Sequence, residues 1–213
     1  MSDANRTQDA GGRTARFAIR GRGLWLLGLL VLSVVLLSLG AEPTRVALRY
    51  DRSAVLDAHE YWRLLTGHLV HGSFTHMALN LAGLGLMAML FPHHYSLTGW
   101  LLISGLSIVA IDAGFVWSEP QLTWYVGLSG VLHGVLAAGA TAWWRYESRG
   151  LALALTLILL AKMAWEQTQG ALPLSGDMPV IVDAHLYGAI GGLLASALIW
   201  CGQHDWSSGA RPL

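Results

Sequence analysis

The chain has 213 residues, 54% of them hydrophobic and only 12% charged, with 13 basic against 13 acidic side chains. Soluble domains carry about 25% charged residues, so the composition is that of a membrane protein, and the neutral balance excludes the basic footprint of a nucleic-acid binder. The single cysteine, Cys201, excludes an internal disulfide and a cysteine-only metal site.

Residues 1–22 are polar and carry Arg6, Arg13, Arg16, Arg20 and Arg22, the pattern of a disordered cytoplasmic tail. An apolar run follows at 24–40. Its positive flank also suits a signal peptide, but no small-x-small cleavage site clearly follows and more apolar runs come later, so we read it as an uncleaved first span. Residues 41–70 are mixed, contain Tyr61, Trp62 and Arg63, and read as a folded loop at the membrane interface. Five further spans are predicted at 74–91, 97–117, 126–144, 151–170 and 180–201, each near the ~20 residues that cross the hydrocarbon core. The expected fold class is all-α: a polytopic six-helix bundle over 23–203, its consecutive helices antiparallel neighbours because their connections are short, with a short cytoplasmic tail at 204–213. Placing the N-terminus inside gathers the five tail arginines, Arg145, Arg149 and Arg211 on the cytoplasmic side, against Arg45, Arg49, Arg52 and Arg63 outside. Basic residues collect on the inner face, which puts both termini in the cytoplasm.

Polar residues inside apolar helices are costly and mark function or helix contact. They fall in three clusters. The first is Gly127-Leu128-Ser129-Gly130 followed by His133 and Gly134. Ser129 opens the fourth span, where free backbone N–H groups can stabilise an oxyanion, and Gly130 and Gly134 form a G-x-x-x-G pair that admits a neighbouring helix. Alone, the cluster reads equally as a packing motif with an incidental serine. The second is Ala184-His185-Leu186-Tyr187-Gly188 with Gly191 and Gly192. Positions 185, 188 and 192 share one helix face, so a histidine lies on a glycine groove; the bland alternative is a histidine bonded to a neighbouring helix. The third is His68, His71, His76 and Asn80, with Ser73 placed to cap the second span. Oxyanion support, metal or haem ligation, and interhelical glue all suit these residues.

Under the N-in topology, spans two, four and six run the same way, and at 1.5 Å per residue Ser129 and His185 lie within roughly 10 Å of the outer surface. Three clusters at one depth suggest one site. A serine hydroxyl needs a base, and histidine is the usual one, so a Ser129–His185 dyad with an oxyanion hole can transfer acyl groups with no acidic third member. Asp183, two residues from His185, points to another side of the helix and reads as a charge at its N-terminus. His133 is a rival base, four residues after Ser129 on the same face.

Taken together from about 50 to 201, these motifs resemble the rhomboid family of intramembrane serine proteases: Gly127-Leu128-Ser129-Gly130, Ala184-His185 with Gly188 and Gly192, His71 and His76 with Asn80, and Trp62-Arg63 in the first outer loop. The resemblance implies a six-helix rhomboid core, Ser129 as nucleophile, His185 as base, and His71 and Asn80 as oxyanion donors beside the Ser129 backbone N–H, with His76 a structural neighbour. Many bacterial rhomboids carry a tyrosine four residues after the serine; here it is His133, a candidate to stack on His185 or share proton transfer. The Gly-Leu-Ser-Gly-Val-Leu-His-Gly string, with Lys162 and Glu166 in span five, looks like the rhombosortase branch. That branch is thought to process exported proteins bearing a C-terminal Gly-Gly motif, a hydrophobic helix and a basic end. The implied partners are transmembrane or C-terminally anchored protein substrates in a lipid bilayer, in a bacterial-type inner (cytoplasmic) membrane with the site facing the periplasm; no cofactor, metal or nucleic acid is expected. The alternatives are a general rhomboid protease, a non-catalytic rhomboid-like binder, and a haem- or metal-binding protein suggested by nine histidines. Lys162 and Glu166, four apart, are expected to pair with each other; His93 and His94 are expected to be solvated in a cytoplasmic turn, and Trp143, Trp144 and Trp200 to anchor at the interface.

Overall fold

The computed structural model describes residues 25–40, 42–172 and 180–208, the side chains as far as 202. The reading of 1–22 as a tail lies outside the described residues, as does Arg211. The helices are α1 (Trp25–Ser38), α2 (Glu42–Leu48), α3 (Arg52–Leu56), α4 (Arg63–Thr66), α5 (Phe74–Leu90), α6 (Leu97–Trp117), α7 (Ser129–Tyr146), α8 (Arg149–Gln169) and α9 (Asp183–Ser208). The only strands among the described residues are β1 (Tyr50–Asp51) and β2 (Trp124–Tyr125), paired antiparallel with Tyr50 opposite Tyr125. Helix α9 continues into the stretch expected to be a C-terminal tail.

Among the described residues, α6, α8 and α9 are long and apolar enough to cross a bilayer, while α1 and α5 are shorter apolar helices. Large apolar side chains such as Leu101, Val109, Leu157, Ile158, Leu194 and Leu198 are exposed along them. That surface suits lipid and would aggregate in water, so this is a multi-pass membrane protein. Helix α7, expected as the fourth span, is not among the long apolar helices. Its buried residues include Gly130, Gly134, Gly139, Ala137, Ala138, Ala140 and Ala142, which face protein, so it has little need of bulky lipid-facing side chains.

Helices α6 and α7, and α7 and α8, are neighbours as expected of consecutive helices, but α9 packs chiefly on α7 and α6, and little on α8, which precedes it. The cause is glycine. A Cβ on Gly188 would overlap the Gly130 carbonyl, and one on Gly192 the Gly134 carbonyl, while one on Gly130 would stand 2.8 Å from the Ala184 oxygen. Backbones that touch in this way exclude larger residues. The contacts advance together along both chains, so α7 and α9 are parallel. Helix α5 runs parallel to α7 too, with Gly83 against Leu132 and Phe91 against Gly139. Helix α6 lies antiparallel to α9, with Gly114 against Tyr187 and Ser107 against Gly191.

The loop before α5 is locked by its arginines. Arg63 is buried, with Nε donating to Glu60 at 2.5 Å and Nη1 to the Val46 and Arg49 carbonyls at 2.7 and 3.0 Å. Arg52 donates to the Phe115 and Val116 carbonyls at 2.8 and 3.0 Å, a cation closing the C-terminal end of α6. The β1–β2 pair then ties this loop to the segment that leads into α7. At the opposite end His94 is not solvated as expected. It packs between Phe91 and Tyr146, 3.6 Å from Glu147, whereas His93 is exposed. Trp144 is exposed, and Trp200 stacks under the Arg145 guanidinium at 4.3 Å, tying α7 to α9.

Candidate active site

Ser129 is the first residue of α7 and His185 the third of α9. Parallel helices in backbone contact bring the two to one level, and His185 Nε2 lies 3.0 Å from Ser129 Oγ. Upstream of the serine, Gly127 holds φ +121°, a conformation open to glycine and strained for other residues; a Cβ there would also strike the His76 ring at 2.6 Å. Its N–H donates to the Gly67 carbonyl at 3.0 Å and its carbonyl accepts from the Tyr125 hydroxyl at 2.7 Å, which fixes the turn into α7. The first N–H groups of α7 have no partner within the helix, and they begin at Ser129.

The other ring nitrogen of His185 faces α8. Nδ1 lies 2.9 Å from Glu166 Oε2, and Lys162 Nζ donates to Glu166 Oε1 at 2.5 Å. A carboxylate accepts only, so Nδ1 carries the proton and Nε2 is left as the acceptor for the serine O–H. Both His185 and Glu166 are buried. Where a pair without an acid was expected, a carboxylate from α8 lies beside His185. Lys162 and Glu166 do pair as expected, but that pairing uses one carboxylate oxygen and His185 takes the second.

His133 does not reach the serine hydroxyl. Its Nδ1 donates to the Ser129 carbonyl at 2.7 Å, and its ring stacks on His185 with centroids 4.0 Å apart and planes at 18°. The expected oxyanion donors divide differently from what the resemblance implies. His76, expected as a bystander, lines the same cleft of about 230 Å³ as Ser129, beside Trp124, Tyr125, Val126 and Ile181. His71 sits behind it, ring centroids 4.9 Å apart, with Nδ1 3.2 Å from the Ser38 hydroxyl of α1. Asn80 is buried one turn along α5 and donates to the His76 carbonyl at 3.1 Å. The helical start explains the swap. Ser73 accepts from the His76 N–H at 3.1 Å and caps α5, so His71 belongs to the preceding loop and His76 to the first turn.

Metal ligation fits poorly. Among the described residues, one group brings three ligand-type side chains within 4.8 Å, His133, Glu166 and His185. The two imidazoles are stacked, so their in-plane lone pairs run side by side instead of converging, and both Glu166 oxygens are already taken, by Lys162 and His185. His68 is spent elsewhere, buried 3.4 Å from Asp112.

The Rhomboid domain family matches residues 58–201, well over half of the chain and all three clusters. The chain belongs to the rhomboid family. No curated protein matches it. The match begins within the loop locked by Arg63 and ends at Cys201, an exposed thiol near the far end of α9. In this rhomboid, then, the glycine-lined contact of α7 with α9 is the element that sets Ser129 against His185. Sequence reasoning paired Glu166 with Lys162 without placing it against His185, and it gave the oxyanion role to His71, whereas His76 is the histidine that lines the cleft with Ser129. The signal for Glu166 was present: a carboxylate has two oxygens, and an i,i+4 lysine satisfies one.

Proposed function

We propose that this chain is an intramembrane serine endopeptidase with Ser129 as nucleophile and His185 as its general base. The observation that carries the reading is the 3.0 Å Ser129–His185 hydrogen bond between two different helices, at the edge of a cleft. Ser129 Oγ attacks the scissile carbonyl carbon while its proton passes to His185 Nε2. The oxyanion forms beside the Ser129 N–H at the start of α7, with His76, which lines the same cleft, as a side-chain donor. As the C–N bond breaks, the Nε2 proton leaves with the amine. A water, or another amine, then attacks the acyl ester, gives its proton to Nε2, and Ser129 regains its hydrogen. His133 stacks on His185 and holds its ring rather than taking the proton.

The substrates are membrane-anchored proteins. The Gly-Leu-Ser-Gly-Val-Leu-His-Gly string and the His133 stack favour the rhombosortase branch, so the preferred substrates are exported proteins with a C-terminal Gly-Gly motif, a hydrophobic helix and a basic end. The chain spans a bacterial-type inner membrane six times, both termini in the cytoplasm, its cleft opening outward.

The test reconstitutes the protein in liposomes with such a substrate and reads the new C-terminus by mass spectrometry. Cleavage at the Gly-Gly motif by the wild type and none by Ser129→Ala is expected. A free carboxylate marks hydrolysis and an added amine marks transfer. Unchanged cleavage by Ser129→Ala refutes the nucleophile, and equal cleavage of a substrate without Gly-Gly refutes the branch.

A further inference from the structure

We infer that Glu166 is a positioning residue for the reaction, holding the His185 imidazole in the tautomer that can accept the serine proton, with Lys162 as its fixed counter-ion. The inference rests on the protease reading above and adds a third helix to it. The relay is continuous: Ser129 Oγ to His185 Nε2 at 3.0 Å, His185 Nδ1 to Glu166 Oε2 at 2.9 Å, and Lys162 Nζ to Glu166 Oε1 at 2.5 Å.

Three features separate this from a salt bridge that merely joins helices. First, a carboxylate buried to 3% exposure in an apolar helix is costly and is retained where it does something or is fully partnered. Lys162 alone on the same helix would partner it, yet the second oxygen points at His185 of α9. Second, α8 and α9 pack little on each other, so the Glu166–His185 bond is a specific contact and not a by-product of close helices. Third, the partner atom is Nδ1, opposite the nitrogen that faces the serine. An acceptor there keeps the proton on Nδ1 and the lone pair on Nε2, and its negative charge stabilises the imidazolium that forms when Ser129 gives up its proton. His133 from α7 stacks on the ring face and bonds the Ser129 carbonyl, so it does not compete for either nitrogen.

An amide at position 166 keeps the size but loses the charge and can donate to Nδ1, favouring the inactive tautomer. The prediction is therefore a loss in kcat with KM unchanged, because the carboxylate touches His185 and not the substrate. The experiment compares wild type, Ser129→Ala, His185→Ala, Glu166→Gln, Lys162→Gln and the Glu166→Gln/Lys162→Gln double variant in liposomes, reading kcat, KM and thermal unfolding of each. We expect Glu166→Gln to lower kcat by about 10²-fold or more with KM within about twofold, and to unfold earlier because Lys162 is left unpaired. The double variant should recover thermal stability without recovering kcat. A folded Glu166→Gln or double variant with wild-type kcat overturns the inference, as does full recovery of kcat in the double variant, which would assign the defect to the stranded lysine. Cleavage surviving Ser129→Ala or His185→Ala would instead overturn the protease reading beneath it.

Discussion

Replacing Gly188 by Ala puts the glycine contact itself on trial. The added methyl carbon would stand 2.7 Å from the Gly130 carbonyl carbon, closer still to its oxygen, and 3.3 Å from Ile111 Cδ1. Non-bonded carbons settle at about 3.5–4.0 Å, so α7 and α9 must part by about 1 Å. The Ser129–His185 bond starts at 3.0 Å. Stretched by that amount it passes beyond hydrogen-bonding range, and a 1 Å misplacement of reacting groups costs about 10²-fold in rate. Overpacking of this kind also destabilises by about 1–3 kcal/mol. The sign is informative, because Ala favours an isolated helix over Gly by about 1 kcal/mol; any loss must come from the interface. Gly105→Ala on α6 is the control, since nothing lies within 4 Å of its added carbon. The assay is cleavage of a membrane-anchored substrate together with thermal unfolding in detergent. A Gly188→Ala variant with wild-type stability and turnover would refute the idea that backbone contact sets the site.

Three other substitutions test separate parts of the account. His76→Ala should lower kcat by about 10²-fold, as loss of one oxyanion donor does, and His71→Ala, one layer behind, should do less; the reverse order in steady-state kinetics would restore His71 to the cleft. His133→Ala removes the ring stacked on His185 and should slow cleavage by about fivefold, since such a stack contributes roughly 1 kcal/mol, without abolishing it. Abolition by His133→Ala with activity retained in His185→Ala would make His133 the base. Arg63→Ala leaves Glu60 and the Val46 and Arg49 carbonyls without their shared donor, and should destabilise the protein by about 3 kcal/mol, read as a lower midpoint in thermal unfolding; an unchanged midpoint contradicts the loop's role.

Much of the centre of this site was legible in the chain. Ser129 and His185 stood out because glycines four residues apart follow each of them, Gly130 with Gly134 and Gly188 with Gly192, and small residues at that spacing announce the close approach of another helix. The cap at Ser73 was legible for a similarly local reason. What stayed hidden depends on which helices meet. The pairing of α9 with α6 and α7 follows from glycine faces matching across the bundle, and connection length gives no hint of it. Glu166 looked satisfied by Lys162 because only one of its two oxygens can be counted along a single helix. His71 and His76 lie five residues apart on either side of the Ser73 cap, and which faces the cleft is decided by where α5 begins. The β1–β2 pair escaped notice because strands of two residues leave no periodicity to read.

The most direct test of the central claim is covalent labelling. The protein in liposomes is treated with a fluorophosphonate, digested, and the modified peptide sequenced by mass spectrometry. The account predicts one adduct, on the Ser129 hydroxyl, formed by the wild type and suppressed in His185→Ala while that variant remains folded. An adduct on another serine, or equal labelling of Ser129 without His185, would contradict it.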